Sequence, residues 1–130
     1  EPYTSEIGKA RILRKGNDIT IVGISHMVIE SLRAHKHLEN NDISAEVIDP
    51  IWLSPLDIDT ICACVEYCGR LLVVDTGWLP CGGGAEFSMQ VIERLQRRKQ
   101  IIVERTGFVN TPCPTTKSLE NMGILLKDSL

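Results

Sequence analysis

The clearest structural signal in this chain is the run Ile19-Thr20-Ile21-Val22-Gly23-Ile24. Apolar and β-branched residues occupy both faces of this run, which is typical of a strand in the middle of a parallel sheet. After Ser25, an expected helix N-cap, apolar residues recur at helical spacing as far as Leu38, and Asn40-Asn41-Asp42 ends the pattern. This part of the chain therefore predicts a strand followed by a helix.

The same strand-then-helix unit recurs along the chain. The predicted strands are residues 9–13, 19–24, 45–49, 70–75 and 101–104, and the predicted helices are residues 27–38, 58–68 and 84–99, with a loop over residues 76–83. Pro55 and Asp57 open the second helix, and Gly69 ends it. Such alternation implies parallel crossovers, with helices on both faces of one sheet. The turn residues Gly16-Asn17-Asp18 favour a hairpin between the first two strands.

The composition fits one globular domain. The chain has 130 residues, 43% of them hydrophobic, with 14 basic and 17 acidic side chains and a net charge of −3. We expect a single domain over residues 1–130, with residues 106–130 as an irregular or helical tail. This charge balance lacks the basic excess that nucleic acid needs, and the apolar runs are shorter than the ~18 residues of a membrane span. We expect neither a nucleic-acid nor a membrane partner.

The cysteines form no recognisable disulfide or zinc pattern. There are five, an odd number with no C-x-x-C pair, namely Cys62, Cys64, Cys68, Cys81 and Cys113. This usage predicts an intracellular, reducing compartment. Only Cys64 and Cys68, four residues apart, share a helical face. Because cysteine is a frequent core residue, we expect buried thiols in this helix and no metal site.

Two residue pairs are candidates for a functional site because each follows a predicted central strand. They are Ser25 with His26, and Gly77 with Trp78. Open α/β sheets bind their ligands at the carboxyl ends of the strands, so these pairs could share a crevice. No second titratable group accompanies His26, and a capping or interface role is the alternative for that residue.

A glycine-rich loop is the third candidate. Gly82, Gly83 and Gly84 stand between a strand and a helix, where free backbone N–H groups could hold a phosphate or a carboxylate. The spacing is neither G-x-G-x-x-G nor a P-loop. The alternative is that these glycines allow close packing or a subunit contact. No nucleophile with its base and no pair of catalytic carboxylates is visible.

Several segments resemble the C-terminal domain of thiamine-diphosphate enzymes of the transketolase superfamily. Residues 8–22 resemble the start of that domain, residues 43–49 its G-I-x-A-E-V-I-D strand and residues 54–57 its R-P-L-D turn. Residues 69–86 resemble the G-R-L-V-V-V-E-E-G-W…G-x-G-A-E stretch of 2-oxoacid dehydrogenase E1 β subunits, and residues 105–120 the closing R-x-x-G…P-x-P…L-E pattern. Trp78 and the Pro-x-Pro ending favour E1 β subunits of the pyruvate, branched-chain or acetoin type.

The chain departs from that family pattern in two places. Asp75-Thr76 stands where the family has Glu-Glu, and Ile51-Trp52-Leu53-Ser54 replaces a basic segment before Pro55. The resemblance nevertheless implies a three-layer α/β/α sandwich on a five-stranded, mostly parallel sheet. The implied strand order is 1-3-2-4-5 with strand 1 antiparallel, so the first strand lies beside the third, against the hairpin expected from the local turn.

The resemblance also implies a role. This would be the non-catalytic C-terminal domain of an E1 β subunit, which serves subunit assembly and docking to the E2 acyltransferase. The implied partners are a second β subunit, an α subunit and E2, and the candidate contact residues are Ser25, His26, Gly77, Trp78, Gly82, Gly83 and Gly84. The intact enzyme would use thiamine diphosphate and Mg, bound by other domains, to decarboxylate a 2-oxo acid oxidatively and acylate lipoamide. No cofactor, catalytic or metal residue is implied here.

Two alternatives stand beside this interpretation. One is the equivalent domain of deoxyxylulose-phosphate synthase or of transketolase itself. The other is a free-standing α/β module that holds a small anion at the glycine-rich helix start with Ser25 and His26. The implied compartment for the enzyme is the mitochondrial matrix in a eukaryote and the cytoplasm in a bacterium.

Overall fold

The computed structural model describes residues 4–118, which form five strands and three helices. The elements in chain order are β1 (Arg11–Arg14), β2 (Ile19–Gly23), α1 (Met27–Glu39), β3 (Ala45–Asp49), α2 (Ile58–Cys68), β4 (Arg70–Trp78), α3 (Gly83–Leu95) and β5 (Ile102–Phe108). Residues 119–130, which belong to the predicted tail, lie outside the described part of the chain. No helix within residues 4–118 is long and apolar enough to cross a membrane.

The sheet has the order β1-β3-β2-β4-β5. β1 pairs antiparallel with β3, whereas β3, β2, β4 and β5 are mutually parallel. The order and directions implied by the family resemblance are therefore confirmed.

The hairpin expected from the first turn is wrong. The N–H groups of Asn17 and Asp18 donate to the Ser44 carbonyl at 3.0 and 2.8 Å, and Ser44 N donates to the Asp18 carboxylate at 2.7 Å. A Cβ on Gly16 would lie 2.2 Å from the Ala45 carbonyl carbon. The turn is thus fastened to the entrance of β3, and this contact places β1 beside β3.

Helices cover both faces of the sheet, as the strand–helix alternation predicts. α2 and α3 pack on one face over a core that includes Val22, Val73 and Val91. α1 packs on the other face through Met27 and Leu38. A Cβ on Gly23 would lie only 2.7 Å from the Ser31 hydroxyl, so α1 rests directly on the backbone of β2. The result is a three-layer sandwich.

Three predicted local features are corrected by the structure. β4 continues to Trp78 through residues expected to form a loop, and β5 continues to Phe108, so Thr106, Gly107 and Phe108 are strand rather than irregular tail. Ser25 does not cap α1: it adopts a positive φ of 56°, and His26 holds the N-cap position without a side-chain cap hydrogen bond.

α2 begins at a well-defined cap. The Asp57 carboxylate accepts hydrogen bonds from Thr60 N (3.2 Å), the Thr60 hydroxyl (2.7 Å) and Ala10 N (3.0 Å), so it also ties the entrance of β1 to this helix. Burial alone would raise the pKa of Asp57, but these hydrogen bonds outweigh it and hold the pKa below the ordinary value of 3.8. At the other end Gly69 takes a left-handed φ of 78° and closes the helix.

We predict that Asp57→Asn lowers the free energy of unfolding by about 1–2 kcal/mol at neutral pH, because an amide cannot accept all three hydrogen bonds. Since the folded-state pKa is depressed, the stabilisation by the ionised carboxylate is complete above pH 3.8 and is lost as the pH falls through the folded-state pKa. The measurement is urea unfolding of both proteins from neutral pH to about pH 3. Asp42→Asn, at an exposed position, is the control, and an equal, pH-independent loss in both variants would contradict the assignment.

Candidate functional site

The candidate residues all lie at one edge of the sheet, where the four parallel strands end. Ser25 and His26 follow β2, Gly77 and Trp78 end β4, and the glycine loop leads into α3. β2 and β4 stay joined up to this edge, because Ile24 N donates to the Val74 carbonyl at 2.9 Å. The topology therefore gathers residues from distant parts of the chain on one edge.

Trp78 is half exposed but held in place. Its side chain is 51% accessible, and its indole Nε1–H donates to the Thr111 carbonyl at 3.1 Å. The following residue is fixed from two directions, since Leu79 N donates to the Phe108 carbonyl and Arg105 donates to the Leu79 carbonyl at 2.9 Å. The edge thus presents an exposed aromatic ring on a well-anchored backbone.

The pairing of β4 with β5 is irregular just before Trp78. The register shifts between Val74 and Trp78. At the shift two glycines meet, and a Cβ on Gly107 would lie 2.6 Å from the Gly77 carbonyl oxygen. Such a break in the ladder increases local twist and redirects side chains. Gly107 therefore has no room for a side chain at the register shift that precedes Trp78.

The three glycines of the loop have different surroundings. A Cβ on Gly82 would lie 2.1 Å from the Trp78 carbonyl oxygen, and one on Gly84 would lie 3.3 Å from Val73 Cγ1. A Cβ on Gly83 would meet nothing nearer than 3.9 Å. Close packing inside the domain therefore requires a glycine at position 82, Gly84 packs tightly against Val73, and Gly83 is open to the outside.

The start of α3 is a poor place for an anion. The Cβ position of Gly83 is 3.9 Å from Asp75 Oδ2, and that of Gly77 is 2.9 Å from the same oxygen. The Asp75 carboxylate therefore already stands at the positive end of this helix and would repel a second negative group. The cavity that Asp75 and Trp78 line measures only about 10 Å³, too small for a diphosphate.

The expectation of buried thiols in α2 holds fully for Cys62 alone, because Cys64 and Cys68 are partly exposed; Cys81 and Cys113, outside this helix, are exposed. Cys62 is buried, and burial raises its pKa. Burial also raises the pKa of Cys64 to about 12, with a hydrogen bond to the carboxylate of Glu46 as the next contribution. Cys68 lies 3.3 Å from the Thr20 hydroxyl. Thiolates are the metal-binding form, and no group of three potential ligands within residues 4–118 could hold a metal ion.

Another cleft, which the sequence motifs do not indicate, lies between α2 and α3. It has a volume of about 530 Å³, and the ion pair of Arg94 with Asp59 stands in it. Glu66 and Arg98 line it as well, so its charges are balanced across the two helices. Helical spacing of these charges was the available signal, but the same spacing is typical of solvated helix surfaces.

A comparison with known protein families identifies the family of this chain. Residues 8–130 match the family described as "Transketolase, C-terminal domain". The chain belongs to the transketolase C-terminal domain family.

Individual relatives are β subunits of one enzyme type. The chain is 38% identical to the pyruvate dehydrogenase E1 component subunit beta of Staphylococcus epidermidis over 118 residues, which is 91% of this chain and 36% of that protein. It is 37% identical to the corresponding Staphylococcus aureus subunit over 130 residues, or 100% of this chain and 40% of that protein. The resemblance to E1 β subunits is thereby confirmed, and the chain spans about two fifths of the length of these relatives.

A solved structure shares the fold. It is described as a split gene transketolase, an inactive beta4 tetramer, and it superposes with a TM-score of 0.79 at 25% sequence identity. The match covers 94% of this chain and 39% of the other. The transketolase C-terminal fold seen here is therefore confirmed by both sequence and structure.

We predict opposite outcomes for two neighbouring glycines of this transketolase C-terminal domain. Gly82→Ala should lower the stability by about 2 kcal/mol or more, because the new Cβ meets the Trp78 carbonyl at 2.1 Å and the backbone must move. Gly83→Ala should leave stability unchanged or raise it by up to about 1 kcal/mol, because it stands in open space at the start of a helix. Thermal unfolding of the two variants checks this, and equal melting temperatures would refute the division of roles.

Proposed function

We propose that the chain is the non-catalytic C-terminal domain of the β subunit of a thiamine-diphosphate-dependent 2-oxoacid dehydrogenase, and that it serves subunit assembly. Family membership and the E1 β relatives support this role. They favour it over the equivalent domain of deoxyxylulose-phosphate synthase or transketolase, because both Staphylococcus relatives are pyruvate dehydrogenase subunits.

The observation that carries the proposal is the anchored, half-exposed Trp78 beside the open Gly83. Tryptophan is enriched among the few residues that dominate protein interfaces, and its ring here needs no ordering on binding because Thr111 already holds it. Gly83 has no side chain and no neighbour closer than 3.9 Å to its Cβ position, so a partner backbone can come near. Ser25 and His26 are exposed at the same edge and complete the proposed contact.

The proposed partners are a second β subunit, an α subunit and the E2 acyltransferase. The structural neighbour supports the first of these, since that transketolase is described as a tetramer of four β chains. The complete enzyme would decarboxylate a 2-oxo acid oxidatively and pass the acyl group to lipoamide on E2. Its compartment would be the bacterial cytoplasm or the mitochondrial matrix.

Thiamine diphosphate and Mg would belong to other domains of that enzyme. When bound there, the cofactor supplies the stabilised carbanion for decarboxylation. The residues described here do not fit it: Asp75 opposes a diphosphate at α3, and residues 4–118 contain no group of three potential metal ligands. We therefore assign no step of the reaction to this domain.

We predict that the 130-residue chain self-associates as its concentration rises, and that Trp78→Ala weakens this association. The reason is the loss of an exposed, pre-ordered aromatic ring, for which we expect a dissociation constant about tenfold or more higher. Sedimentation across a concentration series gives the measurement. Tyr67→Ala is the control, because Tyr67 is 70% exposed at the end of α2, on the opposite edge of the sheet. A parent chain that stays monomeric at every concentration would count against assembly.

We also predict that thiamine diphosphate with Mg²⁺, and inorganic phosphate alone, leave the melting temperature of the chain unchanged. Ligands that bind the folded but not the unfolded state raise the melting temperature by an amount that grows with ln(1 + [L]/Kd). A concentration-dependent rise with either compound would instead favour the anion-binding module. Asp75→Asn provides the sharper comparison: removing the carboxylate beside α3 should permit weak phosphate binding, and a melting temperature that still does not respond to phosphate would contradict the role assigned to Asp75.

A further inference from the structure

We draw no further inference here: the strongest candidate, the cleft between α2 and α3 that Asp59, Glu66, Arg94 and Arg98 line, is a surface groove whose exposed charges balance one another, and nothing in the structure shows what covers it.

Discussion

The fold depends on the burial of β2 between two parallel neighbours. Ile21 and Val22 point to opposite faces and are 1% and 0% exposed. Both faces must therefore be covered, and α1 covers one while α2 and α3 cover the other. Because each helix returns the chain to start a new parallel strand, four strands end at the same edge. The position of the candidate functional edge is thus a consequence of the burial of β2.

Side-chain patterns predicted the helices and strands well, but they predicted poorly which strands pair with each other. The run from Ile19 to Ile24 and the cap at Asp57 are local signals, and both correspond to real elements. The position of β1 depends on hydrogen bonds from Asn17 and Asp18 to Ser44, about 26 residues away, which a turn motif does not encode. Only the resemblance to a family supplied that pairing.

The location of the candidate edge was predictable from the sequence, but its chemistry was not. The rule that parallel strands end together placed Ser25, His26 and Trp78 correctly. The apolar pattern of β4 stops near Asp75, but the backbone of β4 stays paired with β5 as far as Trp78. Strand pairing uses backbone groups, and Gly77 has no side chain that would indicate a strand in the sequence. The sequence showed Asp75 but could not show that its carboxylate turns toward the start of α3.

Two features of this edge do not stabilise the isolated chain. Ile51 holds a conformation that costs an L-residue free energy, and Trp78 leaves half of a large aromatic ring in water although Thr111 fixes its position. The proposed assembly role accounts for both: a partner would cover the apolar groups, and the rigid backbone would reduce the entropy lost when it did so. Under that proposal, the strain and the exposure belong to the assembled protein, in which both have a compensating contact, and not to the domain on its own.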